Sequence, residues 1–353
     1  MKVLIAGACG FVGATLARRW RDERGDLEIL GIDNFIRPGS ETNRADLRRA
    51  GVTVAHADIR QASDFEPLPD VDWVIDAAAN PSVLAGVDGR TSSRQLVEHN
   101  LLGTINMLEY CRRAGAGFIL LSTSRVYSIR PLASLEVSVV DRAFAPTLHT
   151  PVPGLSADGV SESFSTEPPV SLYGATKLAS EQLALEYGAA YGFPVWINRC
   201  GVLAGAGQFG RADQGIFSFW IHSWKARAPL TYLGFDGLGH QVRDCLHPAD
   251  LVPLLDRQIA APGSECRVHN VSGGTASARS LRQCSDWCVR RFGPCDVRSR
   301  VEPRKYDVPW MVLDPSRAQR HWGWTPRLTA DDIFEEIAQH AERHPEWLEL
   351  SRP

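Results

Sequence analysis

The run Lys2-Val-Leu-Ile-Ala-Gly7-Ala-Cys-Gly10-Phe11-Val12-Gly13 decides the architecture of this chain. Val3 to Ala6 reads as a short buried strand, the glycines as a tight turn, and Phe11 to Arg24 as a helix carrying an apolar face. Glycine at positions 7, 10 and 13 lets the backbone reverse, approach a pyrophosphate closely and pack helix on strand, with the free N–H groups of the helix start facing the phosphates. About twenty residues further on, a second strand ends in Gly31-Ile32-Asp33-Asn34, which puts a carboxylate at the ribose hydroxyls of a dinucleotide. Because a carboxylate there repels a 2′-phosphate, the pattern predicts NAD rather than NADP. Gly7, Gly10, Phe11, Val12, Gly13, Asp33 and Asn34 are the first candidate cofactor residues.

The same rhythm continues outward. Strand-like runs at Val3 to Ala6, Glu28 to Ile32, Val52 to Ala55, Trp73 to Ala77, Phe118 to Leu121 and Val195 to Asn198 alternate with helical patterns at Phe11 to Arg24, Ser92 to Ala114 and Tyr173 to Tyr191. This predicts an α/β chain with a Rossmann-type, doubly wound parallel sheet over residues 1–199. After Arg199 the regularity fades, and Gly, Trp and Pro become more frequent. Residues 200–353 read as a smaller substrate domain with helices near Gln214 to Ala226, Pro248 to Ala261, Ser280 to Phe292 and Asp331 to Arg343, and segments near 240–271 as able to return to the first domain. Ser128 to Val170 breaks the pattern: a stretch this long between strand and helix is either a functional lid or interface element, or a disordered excursion.

A chain of 353 residues with net charge −3 and no long basic run has no electrostatic footprint for nucleic acid or an anionic membrane, so its partners are expected to be small molecules. The apolar start, Val3-Leu4-Ile5, is too short for a signal segment or a membrane span, and a cytoplasmic location is expected. Eight scattered cysteines without a Cys-x-x-Cys predict reduced thiols and no metal site; Cys284, Cys288 and Cys295 lack zinc-type spacing. The ten Trp residues are assigned to the core, with Trp310 the one placed to border a site.

The chemistry is concentrated in Tyr173-Gly-Ala-Thr-Lys177. Four residues apart on a helix, the two side chains rise from one face, so the Lys177 ammonium is expected to draw the Tyr173 phenol toward neutrality and make it a general base. Ser122-Thr123-Ser124 closes the fifth strand at the carboxyl edge, where open parallel sheets bind ligands, and offers a hydroxyl to the substrate alcohol. Asp58-Ile59 after the third strand is placed to meet an adenine, and Ala77-Ala78-Ala79 after the fourth leaves room for a cofactor against the backbone.

These parts together resemble the extended short-chain dehydrogenases/reductases of the nucleotide-sugar epimerase and dehydratase group, along nearly the whole chain. The resemblance implies a Rossmann-type domain with a smaller nucleotide-sugar domain, Thr123 as the catalytic hydroxyl beside Tyr173 and Lys177, and Asn100, Ser122 and Arg199 near the cofactor. Dehydratases of the group carry Asp-Glu after that hydroxyl and decarboxylases a Glu, where this chain has Ser124-Arg125. A basic residue there is similar to the CDP-paratose 2-epimerase (CDP-tyvelose epimerase) branch, as are Gly207-Gln208-Phe209, Asp213-Gln214-Gly215 and Gly239-His240-Gln241-Val242-Arg243-Asp244. Asn80-Pro81-Ser82-Val83 is closer to general epimerases, and the Ser128 to Val170 segment is longer than the pattern asks. Ser124, Arg125, Gln214, Arg243 and Arg304 are the candidate substrate residues, the last two because guanidinium forks match phosphate oxygens.

The resulting expectation is an NAD-dependent epimerase of a nucleotide-diphosphate sugar, most like a CDP-sugar 2-epimerase, acting through a transient ketone. A UDP-sugar 4-epimerase or a net sugar-nucleotide dehydrogenase is the alternative, and a dinucleotide-sensing binding protein a rival of another class. The helices Ser92 to Ala114 and Tyr173 to Tyr191 resemble the pair through which members dimerise, which implies a homodimer or larger even assembly.

Overall fold

The computed structural model describes residues 1–89 and 92–351. Its centre is a seven-stranded sheet: β1 (Lys2–Ala6), β2 (Glu28–Asp33), β3 (Thr53–His56), β4 (Trp73–Asp76), β5 (Gly117–Thr123), β6 (Val195–Cys200) and β7 (Val268–Val271). The spatial order is β7-β6-β5-β4-β1-β2-β3 and every neighbouring pair is parallel. Strand order reverses between β1 and β4, which opens a crevice at their carboxyl ends.

Alternation of side chains explains why the sheet is covered on both faces. Val3 and Ile5 of β1, with Ile119 and Leu121 of β5, enter one core with Trp20, Trp73 and Trp196. Leu4 and Ala6, with Phe118 and Leu120, enter the opposite core with Met107, Leu108 and Ala184 from the covering helices. Period-two strands buried on both sides are apolar along most of their length, and β1 is apolar from Val3 to Ala6 and β5 from Phe118 to Leu121. The helices Phe11–Glu23, Gly103–Ala114 and Ser171–Tyr191 stand where the sequence pattern placed them. Ser93–Val97 and the π-helical turn Glu98–Leu102 precede the second of these.

β7 was not among the sequence-predicted strands. It follows the helix Val252–Ala260, which packs on the first core, and the two elements close the sheet edge: Trp196 Nε1 donates to the Gln258 carbonyl (3.0 Å), and the Asn198 and Gln258 amides exchange bonds at 2.9 Å. Removing Trp196 to alanine would cost about 3–5 kcal/mol, the usual range for emptying a core aromatic site.

The C-terminal half has its own core of Phe217, Trp220, Trp224, Tyr232, Cys284, Cys288, Ile333, Phe334 and Ile337. It is built by the helices Ile216–Lys225, Leu281–Phe292 and Ala330–Arg343. Ser280 and Thr329 cap the last two through reciprocal bonds with Gln283 and Asp332, which satisfy the first free N–H groups.

The segment between β5 and the Ser171–Tyr191 helix folds into a short helix, Ile129–Ala133, and two hairpins, Val137–Val140 with Ala143–Pro146 and Leu155–Ser156 with Gly159–Val160. It is an ordered interface, as one of the two sequence readings had it. Val160 exchanges backbone bonds with Val312 and Asp314, and Phe144 N–H donates to the His240 carbonyl (2.9 Å). A core of Tyr127, Phe164, Val308, Trp310, Met311 and Leu313 fills the junction, so Trp310 is packing and does not border the cleft.

Candidate active site

The crevice at the strand ends continues into a cleft of about 580 Å³ between the sheet and the C-terminal half. On the sheet side its lining includes Gly7, Gly10, Phe11, Val12, Asp33, Asn34, Ile59, Ala77, Ala78 and Ala79. Gly7 has φ +72°, and a Cβ on it would lie 2.9 Å from the Ala78 Cα; a Cβ on Gly13 would lie 2.3 Å from the Gly7 carbonyl oxygen. These two positions need glycine, the first for its left-handed backbone and close neighbour, the second for helix on turn. Gly13 itself packs behind the wall. Gly10 starts the Phe11–Glu23 helix without a side-chain cap, so its first N–H groups remain available to an anion.

Asp33 accepts from Cys9 N–H at one oxygen (2.9 Å) and from Phe35 N–H at the other (2.8 Å). Those bonds aim the carboxylate while leaving each oxygen a further lone pair. Burial raises its pKa above the ordinary carboxylate value, against the pull of the backbone donors. Asp58 is turned away: it pairs with Arg60 (2.5 Å) and accepts from Asn34 (3.1 Å). Burial works against that charge, but Arg60 and Asn34 hold its pKa below the ordinary carboxylate range.

Thr123, Ser122, Ser124, Arg125 and Tyr173 line the middle of the cleft. The Thr123 hydroxyl lies near enough to the Tyr173 phenol to act on it. Gly174 permits this approach, since a Cβ there would meet the Arg125 carbonyl oxygen at 2.2 Å. The phenol is not near neutrality. Burial pushes it up to about 12, while the Thr123 hydroxyl and the Arg125 charge draw it down only in part. Lys177 is 2% exposed and lies behind Tyr173, where its charge acts on Asp76 and Cys200. Asp76 is a buried carboxyl that no sequence motif marked, held by Thr104 (3.1 Å) and Ala78 N–H (3.1 Å).

Three arginines gather on the substrate side. Arg243 donates to Asp307 (2.6 Å) and to the Val242 and Val308 carbonyls. Arg125 reaches the Tyr306 carbonyl at 3.5 Å, and burial together with the neighbouring Arg243 charge lowers its pKa to about 10. Arg304 touches the Ala212 carbonyl at 3.4 Å. Gln214 lines the cleft and accepts from Arg37 (2.9 Å), a residue the sequence reading passed over; its one signal was its place just beyond Asp33-Asn34. Trp220, assigned to the core, also borders the cleft.

Asn100 and Arg199 stand behind the wall. Asn100 exchanges bonds with the Asn80 backbone and donates to Thr176 (3.2 Å), and Arg199 pairs with Glu181. No helix among the described residues is long and apolar enough to cross a membrane.

The glycine turn, the Thr123 and Tyr173 hydroxyls and the three arginines thus lie along one cleft. The chain belongs to the NAD dependent epimerase/dehydratase family, whose model matches residues 3–271. It is an enzyme, an NAD-dependent epimerase, and its cofactor is NAD. It is 29% identical over 348 residues to UDP-glucuronate 4-epimerase 2 of Arabidopsis thaliana, covering 92% of this chain and 72% of that protein. It is 26% identical over 352 residues to CDP-paratose 2-epimerase of Salmonella typhi, covering 94% and 96%. Among solved structures, UDP-glucuronic acid 4-epimerase from Bacillus cereus in complex with UDP-glucuronic acid and NAD superposes with a TM-score of 0.75 over 97% of this chain and 99% of that one, at 23% identity. The glycine cradle, the uncapped helix start and the aimed Asp33 carboxylate fit that cofactor.

Proposed function

We propose that this enzyme inverts a hydroxyl-bearing carbon of a nucleotide-diphosphate sugar through a transient ketone, most like a CDP-sugar 2-epimerase. The observation that carries the reading is a single cleft lined by Thr123 and Tyr173 together with the glycine turn and Arg125, Arg243 and Arg304. Gly7, Gly10 and Asp33 would hold NAD, with Gly13 supporting the turn from behind and Lys177 behind Tyr173. When bound, NAD would supply hydride acceptance and return. Tyr173 takes the hydroxyl proton of the sugar and gives it back; Thr123 orients that hydroxyl. Arg243 and Arg304 take the diphosphate, and the Arg125 charge is felt by both of them and by the phenol.

Inversion by transient oxidation keeps the carbon-bound hydrogen out of solvent. A reaction in heavy water should therefore yield epimerised sugar without deuterium at the inverted carbon. Deuterium found there would mean that deprotonation next to a ketone, from another base, does the work.

A 4-epimerase of UDP-uronates has equal support, from the similarity to the plant UDP-glucuronate 4-epimerases. Incubation with CDP- and UDP-sugars, followed by identification of the product, separates the two, and net release of NADH would instead mark a dehydrogenase. We further propose a cytoplasmic homodimer or larger even assembly. Val97, Leu102, Leu172 and Tyr191 are exposed apolar residues on the two helical segments proposed to pair with a second copy. A monomer by light scattering at micromolar concentration would remove that part.

A further inference from the structure

Tyr173, Lys177 and Glu181 recur every four residues along the Ser171–Tyr191 helix, so the three side chains form one stripe. The first two belong to the proposed proton chemistry. Glu181 does not reach the cleft: it is 1% exposed and sits behind the wall.

What it touches is on the sheet. Ser122 of β5 and Arg199 of β6 are register partners on adjacent parallel strands, and both reach the same carboxylate. Ser122 Oγ donates to Glu181 Oε1 at 2.5 Å. Arg199 donates from Nε to both oxygens at 3.1 Å and from Nη2 to Oε2 at 2.7 Å. Its remaining arm, Nη1, donates to the Tyr127 hydroxyl (3.3 Å), which donates to Asn270 of β7 (2.6 Å). Burial works against the Arg199 charge, but Glu181 and Tyr127 overrule it and lift its pKa above the usual value.

A buried ion pair adds little net stability compared with apolar packing of the same volume, because desolvation consumes the Coulomb gain. What such a cluster does contribute is a fixed distance between the elements that carry it. Here those elements are β5, whose next residue is Thr123, and the helix that carries Tyr173 two turns before Glu181.

We propose that Glu181 is a positioning residue: by clamping Ser122 and Arg199 it sets the separation of the Thr123 and Tyr173 hydroxyls. The inference rests on the reading of those two hydroxyls as the proton-handling pair. Glu181 acts only through place. The groups whose interactions reach the phenol are Thr123 of β5, Arg125 of the turn after it, Cys200 of β6 and Asp76 of β4.

The test uses the full-length chain loaded with NAD. Phenolate absorbance is followed against pH in the parent, in Ser122→Ala, which cuts one strut and leaves the ion pair, and in Glu181→Gln, with Tyr173→Phe as the subtraction blank. Retreat of the Thr123 hydroxyl from the phenol should raise the Tyr173 midpoint by about one pH unit in both variants. Crystal structures of the NAD complexes should show the two hydroxyls farther apart in the variants than in the parent. Should Glu181→Gln fail to fold, Ser122→Ala decides. Titrations indistinguishable from the parent, with the hydroxyl separation unchanged even if the melting temperature falls, overturn the clamp. A Tyr173→Phe variant as active as the parent on nucleotide sugars would overturn the proposed function instead, which separates the two failures.

Discussion

The two walls of the cleft recognise in different ways. The sheet wall works by the absence of side chains: Gly7, Gly10, Ala77, Ala78 and Ala79 bring backbone to the ligand, with Asp33 as its aimed carboxylate. The opposite wall works by long side chains, with Arg125, Arg243 and Arg304 converging from three separate segments. A backbone cradle tolerates no added atom but depends little on charge. A guanidinium cluster tolerates shape changes and depends on charge and salt. Where the walls meet stand Thr123 and Tyr173.

The contrast breaks hardest at that seam. Tyr173→Phe should keep NAD and lose roughly two to four orders of magnitude in rate, the range for removing a general acid/base; retained activity with nucleotide sugars would dissolve the assignment.

Acid should separate the halves next. His222 and His340, on facing helices of the C-terminal core, lie 3.3 Å apart at Nε2 and Nδ1. Burial lowers His222 to about 4, and burial plus the His222 charge lowers His340 to about 3. An unfolded chain protonates both near pH 6.5, so between that value and about 4 the unfolded state binds more protons. Their contribution is therefore complete above pH 6.5 and is lost as the pH falls. His222 alone should remove about 2 kcal/mol between pH 7 and pH 5. Denaturation midpoints at the two pH values measure this, and a His222→Gln/His340→Gln variant should flatten the dependence.

On the sheet wall, Gly13→Ala forces a methyl against the Gly7 carbonyl and should cost about 1–3 kcal/mol together with NAD affinity, read by calorimetry. The smallest effect is expected on the other side. Arg304→Gln should weaken nucleotide-sugar binding about tenfold, the loss of one charged hydrogen bond, and leave NAD binding unchanged. If Arg304→Gln weakened NAD equally, the walls would not be independent recognisers.

The same contrast decides what the sequence disclosed. The glycine turn, the Asp33 carboxylate and the six apolar strands follow from local demands of period and backbone, and a local pattern suffices to read them. β7 escaped because Val268–Val271 is short and holds the polar His269 and Asn270, acceptable only because Tyr127, Glu162 and Val160 bond Asn270 from distant segments. Arg199 was expected beside the cofactor, and nothing in its neighbours announced Glu181 on the helix before it. The tuning of Tyr173 by Lys177 was read from helix spacing alone. Spacing gives direction but not dielectric, and the buried phenol follows burial. The Ser128 to Val170 segment was ambiguous because its order comes from Val312, Asp314 and His240, all far along the chain.

The closing of the sheet edge by the Val252–Ala260 helix and β7 has a consequence for birth on the ribosome. Asn198 leaves the exit tunnel 60 residues ahead of Gln258, its side-chain partner at that edge. Until then β6 presents an open flank and an uncovered Trp196, so the nascent chain passes through a stage at which strand addition by a stranger competes with its own completion.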